Sequence, residues 1–188
     1  MPKDPGLRVY KIYLERELKP CDRQLTPPLV AYVYVKFTNI KCVSYDKAFA
    51  DFRYCKLKAL SPNKVALFLH VQLFQLPVNN VSINLDVYRK ANGYRPFLFN
   101  KTSDFCQFLR NPKRIPLGKI LMDIIAMYSN INHTCPYNHD IIVKDFILTT
   151  QHVQLLPVPT GDYLLRISVG AYNEFKATVS AYVQRVED

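Results

Sequence analysis

Alternation of aliphatic and polar side chains constrains this chain more than any other feature. From Val65 to Leu73 every odd position is aliphatic (Val65, Leu67, Leu69, Val71, Leu73), while His70 and Gln72 fall on the opposite face. Successive side chains of a strand point to opposite sides, so this pattern specifies a half-buried β-strand. The same period recurs at Val81, Ile83, Leu85 and Val87, at Tyr163, Leu165, Ile167, Val169 and Ala171, and at Ala177, Val179, Ala181 and Val183. Weaker runs at 29–39, 52–60, 95–99 and 141–149 bring the expected total to about eight strands. Turn-forming residues bound them at Pro62-Asn63, at Pro77 to Asn80, at Asn92-Gly93 and at 157–161. Asn92-Gly93 reads as a hairpin turn in which both residues take positive φ. The expected fold is mainly β, an antiparallel β-sandwich.

One interval breaks the two-residue period. Leu117, Ile120, Leu121, Ile124, Ile125 and Tyr128 follow a helical stripe, with Pro116 suited to a first turn. A short helix also starts at Asp104, whose carboxylate can cap while Gln107 returns the bond. This helical insertion, near residues 103–130, lies across one end or face of the sandwich. It covers core or walls an apolar cavity.

A length of 188 residues with 49% hydrophobic and 21% charged side chains suits one folded domain and excludes a disordered chain. No apolar run reaches the roughly 20 residues of a membrane helix, so the chain is expected not to be transmembrane. Residues 1–28 are charged and Pro-rich and read as an N-terminal extension before a domain at 29–188; no basic start followed by an apolar stretch, as in a signal peptide, is visible. The net charge of +10 is concentrated. Between Arg53 and Lys119 twelve basic residues stand against two acids, Asp86 and Asp104. That excess serves solubility or attracts an anion, be it phosphate, a headgroup or an acidic protein.

Five cysteines (Cys21, Cys42, Cys55, Cys106, Cys135) form no paired-thiol metal motif. Three N-x-S/T sequons, at Asn80, Asn100 and Asn132, are glycosylation candidates. Together they favour a secreted, oxidised protein.

Several chemistries lack their scaffolds. The chain has no G-x-S-x-G, H-E-x-x-H, phosphate loop or G-x-G-x-x-G. The run His133 to Asp140 gathers two imidazoles and the Cys135 thiol, but disulfide use of Cys135 competes with a metal, and the expectation is no metal site. His70 and His152 are isolated and read as strand residues on polar faces. No catalytic residue and no cofactor is assigned, and an enzyme is not expected. Scattered basic residues without a nucleic-acid motif argue against nucleic acid as a partner.

Ordered short motifs then carry a resemblance. They are Phe37 to Cys42, Cys55 to Lys58, Asn92 to Leu98, Asp104-Phe105-Cys106, Ser129 to Tyr137 and Leu156 to Tyr163. From about Phe37 to the C-terminus the chain resembles an insect-expanded domain-of-unknown-function family, number 1091. That family is related to the CheB chemosensory proteins and to the lipid-recognition superfamily of ganglioside activators. The resemblance implies a secreted, immunoglobulin-like β-sandwich of lipid-recognition type with an apolar pocket. Family members usually carry a cleaved signal peptide before the Phe37 motif, from which residues 1–28 depart. Four cysteines match the family. The pairing it suggests is Cys42 with Cys55 across a short hairpin and Cys106 with Cys135 around the helical insertion, leaving Cys21 over.

The leading expectation is a non-enzymatic extracellular protein that holds a lipid or other apolar small molecule, a chemosensory cue being one candidate, with a membrane receptor as a further partner. Lining candidates are Leu67, Leu69, Val71, Leu85, Val87, Ile120, Ile124, Leu165, Ile167 and Val169, each of which also reads as ordinary core. Lys90, Arg95 and Lys101 are candidates for an anionic headgroup. The alternative is an extracellular protein-interaction module with nothing inside. A weaker rival is an enzyme using the His133 to Asp140 segment.

Overall fold

Each segment with a two-residue apolar period forms a strand in the computed structural model, which describes residues 33–154 and 158–187. The extension at 1–28, Cys21 and the first four residues of the 29–39 run lie outside the described residues. The strands are β1 (Val33–Ser44), β2 (Ala50–Ser61), β3 (Lys64–Leu73), β4 (Val81–Ala91), β5 (Gly93–Asp104), β6 (Ile141–Ile147), β7 (Gly161–Ala171) and β8 (Glu174–Glu187). Between β5 and β6 come α1 (Phe105–Arg110), a 3-10 turn (Pro112–Arg114) and α2 (Pro116–Ala126); α3 (Thr150–Gln154) follows β6.

All strand pairs are antiparallel. One sheet has five strands in the order β1-β8-β7-β4-β5, and the other has three in the order β2-β3-β6. The expected β-sandwich is therefore present, with eight strands among the described residues. Its layers are joined covalently, since Cys42 on β1 is bonded to Cys55 on β2. That pairing was expected across a hairpin. It joins the two sheets instead, because β1 pairs with β8 and β2 with β3.

Two packed clusters hold the layers. In the first, Phe37 and Ala181 of the larger sheet meet Leu67, Leu69, Val143 and Phe146 of the smaller one, and Phe37 packs edge-on against Phe146 at 5.4 Å. The second lies towards one end of the sandwich and joins Phe49, Ala50, Val78, Tyr137 and Ala171. Here the Cys106–Cys135 disulfide ties α1 to the segment before β6.

Local differences from the periodicity have identifiable causes. Asp104 does cap α1, accepting from the Gln107 backbone N–H at 2.8 Å, but no return bond from the Gln107 side chain forms. Tyr128 lies beyond α2, which closes at Met127. At the β4–β5 turn only Gly93 takes a positive φ, 92°, so Asn92 does not behave as expected. Two successive positive φ values occur at the β7–β8 turn, at Tyr172 (53°) and Asn173 (67°). The end of the 141–149 run leaves the sheet before α3.

Candidate functional site

Antiparallel register places the inward residues of the larger sheet in rows, since directly opposed residues share a face. One row runs Leu85, Ile167, Val179, Cys42 across β4, β7, β8 and β1, and the next runs Val87, Leu165, Ala181, Ile40. The β8 and β1 members pack into the first cluster. Leu85, Val87, Leu165, Ile167 and Val169 remain half-buried, and neither cluster includes them. Packing between the sheets thus draws on β1 and β8, and at one end on Val81 and Ala171, while these five residues keep partial exposure.

This arrangement divides the ten expected lining residues. Leu67 and Leu69 are buried core, and Val71 and Ile124 pack against that core. Leu85, Val87, Leu165, Ile167 and Val169 share one face of the larger sheet and stay half-buried outside both clusters, as does Ile120 of α2. α2 has a well-segregated apolar stripe but no buried residue; its C-terminal half, through Ile124 and Ile125, reaches the packed core.

The three expected headgroup cations do not converge. Lys101 on the edge strand β5 lies opposite Leu85, and Arg95 lies opposite Arg89, so the two are about 13 Å apart along the ladder. Lys90 faces the other side and approaches Asp162 at 3.6 Å. Lys101 lines a concavity of about 360 Å³ together with Thr102, Asp104, Phe108 and Arg114. A second concavity of about 180 Å³ is lined by Leu109, Met122, Asp123, Ile131 and His133. None of the ten expected lining residues borders either concavity.

The segment His133 to Asp140 is tightly organised. Cys135 is oxidised, which removes the thiolate from any metal set, and no group of three His, Cys, Asp or Glu is placed to hold a metal among the described residues. His133 and His139 instead approach each other through Nε2 at 2.8 Å, flanked by Tyr137. Tyr137 is buried, which pushes its phenol up to about 12, and its hydroxyl donates to the His133 carbonyl at 2.8 Å. The two histidines expected to be isolated have partners. His70 Nε2 is 2.8 Å from Asp140 Oδ2, and this bond holds the Asp140 carboxyl below its usual range. His152 packs on Tyr128 and Phe146, and burial lowers its affinity for a proton.

Periodicity missed one surface altogether. Three loops and the start of β8 at one end of the sandwich expose Tyr45, Phe74, Leu76, Tyr172 and Phe175. They are bound together: Phe74 N–H donates to the Phe49 carbonyl at 2.9 Å, Tyr172 hydroxyl to the Pro77 carbonyl at 3.2 Å, and Tyr45 N–H to the Lys176 carbonyl at 2.9 Å. Lys176 is nearly buried there between Asp46 (2.8 Å) and Glu174 (2.7 Å), whose hydrogen bonds raise its pKa. Aromatic residues beside turn residues were the available clue.

Asn80, Asn100 and Asn132 are all exposed. The two disulfides fit an oxidising, extracellular type of compartment. No described helix is long and apolar enough to cross a membrane. A family model described as "Protein of unknown function (DUF1091)" matches residues 83–165, from β4 into β7. The match supports the DUF1091 part of the resemblance over the helical insertion and the Cys106–Cys135 bridge. No curated protein matches the chain.

Proposed function

We propose that this protein is a non-enzymatic, secreted carrier that binds a lipid or other long apolar molecule on the β4–β7 part of its larger sheet. The observation that carries the reading is the row geometry: Leu85, Val87, Leu165, Ile167 and Val169 share one inward face, stay half-buried and belong to neither packed cluster. Apolar surface left partly in water gains about 25 cal/mol per Å² when a ligand covers it. Lys101, level with Leu85, and Arg114 on the same concavity supply positive charge for an anionic headgroup. The family that the sequence motifs resemble, read as related to CheB and lipid-recognition proteins, supports a chemosensory ligand, and the exposed sequons accord with glycosylation during secretion.

Titration with a fluorescent long-chain fatty acid tests this. Saturable binding should weaken about tenfold in Ile167→Asp, the loss of roughly one aliphatic contact, and Lys101→Glu should weaken an anionic probe more than its alcohol analogue. Equal binding by the parent and Ile167→Asp would reject the site.

A second reading rests on a different observation. The exposed aromatic end, with Tyr45, Phe74, Leu76 and Tyr172 on mutually bonded loops and Phe175 at the start of β8, suits contact with an extracellular protein such as a receptor. Phe74→Ser with Phe175→Ser should abolish such contact without altering probe binding.

A further inference from the structure

Two imidazoles aimed at one point need something between them. His133 Nδ1 lies 2.6 Å from the Thr134 carbonyl oxygen, which only accepts, so Nδ1 carries the hydrogen and Nε2 is bare. That bare Nε2 faces His139 Nε2 at 2.8 Å. On its other side, His139 Nδ1 is 2.8 Å from the Asp140 carbonyl and 3.0 Å from the Asn130 amide nitrogen. The Asn130 amide is fixed, because its oxygen accepts from Ile142 N–H at 2.9 Å and its nitrogen donates to the Asp140 carbonyl at 2.7 Å.

His139 consequently has a partner for either tautomer. With its hydrogen on Nε2, it bridges to His133 and accepts from Asn130 through Nδ1. With its hydrogen on Nδ1, it donates to the Asp140 carbonyl, the Asn130 N–H beside it gives up its ring acceptor, and two lone pairs face each other across the gap. The second arrangement is favourable only with a cation between them. Metal-ligating histidines commonly donate their other ring N–H to a backbone carbonyl, the partner both rings have here.

We propose that His133 and His139 form a two-imidazole site for a borderline divalent metal ion, Zn²⁺ or Cu²⁺, which replaces the bridging proton. Nitrogen ligands at 2.0–2.1 Å from a tetrahedral ion stand about 3.3 Å apart, so the rings need part by only about half an ångström. The backbone beneath them is firm: Tyr137 is buried against the His133 ring, centroids 4.8 Å apart, and Cys135 between the two histidines is anchored to α1. Since no third His, Cys, Asp or Glu joins them among the described residues, water completes the coordination, and His133 is exposed enough to admit it. Such a site is exchangeable, and an ion there would fix the loop carrying Ile131 and His133, one wall of the smaller concavity.

Calorimetric titration of the full-length, disulfide-intact chain with Zn²⁺ and with Cu²⁺ tests the proposal. One equivalent should bind at this site, weakening about tenfold or more in both His133→Gln and His139→Gln and staying within twofold in His70→Gln. No binding by the parent chain, binding that survives either substitution, or an equal loss in His70→Gln would overturn it. A second readout needs no variant: on metal addition the ¹⁵N shifts of both Nε2 atoms should move, the His133 Nδ1–H should persist, and the His139 hydrogen should pass from Nε2 to Nδ1. Unmoved Nε2 shifts would also overturn the assignment.

Discussion

Leu165 and Ala181 face each other across the β7–β8 ladder, but only Ala181 lies in the packed core. The β7–β8 ladder thus separates β1 and β8, which pack into the first cluster, from β7 and β4, which contribute no residue to it. A sheet of five strands under a sheet of three accounts for it, because the smaller layer meets β1 and β8 through Phe37, Ile40 and Ala181 and does not extend the same packing over β4. The half-buried residues of β4 and β7 should therefore respond to truncation differently from core residues.

Leu67→Ala, in the packed core, should lower stability by about 2–5 kcal/mol, whereas Leu165→Ala should cost about 1 kcal/mol because its site is already partly open. Urea unfolding of the two variants checks this. Equal losses would mean that these half-buried residues are core in all but register.

The Cys42–Cys55 bond closes a short loop and joins the sheets. Replacing both cysteines with serine should reduce stability by about 3 kcal/mol on the loop-entropy account. The midpoint of denaturation reads the effect, and an unchanged midpoint would show that packing alone fixes the layers.

Gly170 sits at the β7–β8 register shift, where an added Cβ would meet Ser82 Oγ at 2.5 Å and the Glu174 carbonyl oxygen at 3.1 Å. The serine can rotate but the backbone carbonyl cannot. Gly170→Ala should destabilise by about 1–3 kcal/mol, and Gly170→Ala combined with Ser82→Ala should recover part of that in thermal melts.

His152 provides a pH dependence with a definite sign. Burial lowers its pKa, and its Nδ1 accepts from Thr149 N–H at 3.3 Å, a bond that a protonated ring cannot accept. In the unfolded chain the imidazole takes up a proton near its ordinary value of about 6.5, before the folded one does. The unfolded state then holds more protons, so stability falls as pH drops below about 6.5. His152→Phe keeps the ring contacts with Tyr128 and Phe146 and should flatten the melting temperature between about pH 7.5 and 5.5. An identical slope in both proteins would assign the acid loss elsewhere.

Strand placement was legible wherever aliphatic side chains kept the two-residue period, as along Val65 to Leu73, even though the alternate face there, with Ala66 buried and His70 half-buried, is also covered. Partnership was not, because alternation fixes a face without naming a neighbour, so β1 and β2 read as a hairpin although they lie in different sheets. β5 was underestimated for a related reason. As an edge strand it exposes Asn100, Lys101 and Thr102 in succession, and the irregular pairing near Leu98 (φ 63°) interrupts the period. The helical stripe from Leu117 to Ile125 was plain, and the cysteine pairs followed from the family resemblance. Hidden from any pattern were contacts between distant segments: His70 with Asp140, and three loops meeting around Phe49. The half-buried residues of β4 and β7 themselves were nameable, but their separation from Leu67 and Leu69 depends on how far one sheet overhangs the other.

Native mass spectrometry of the protein purified from secreting cells decides whether the larger sheet carries a ligand. A co-purified apolar adduct is expected on the parent chain, removed by Ile167→Asp while the fold and both disulfides persist. A parent chain free of adduct that also takes up no long-chain probe on incubation would contradict it.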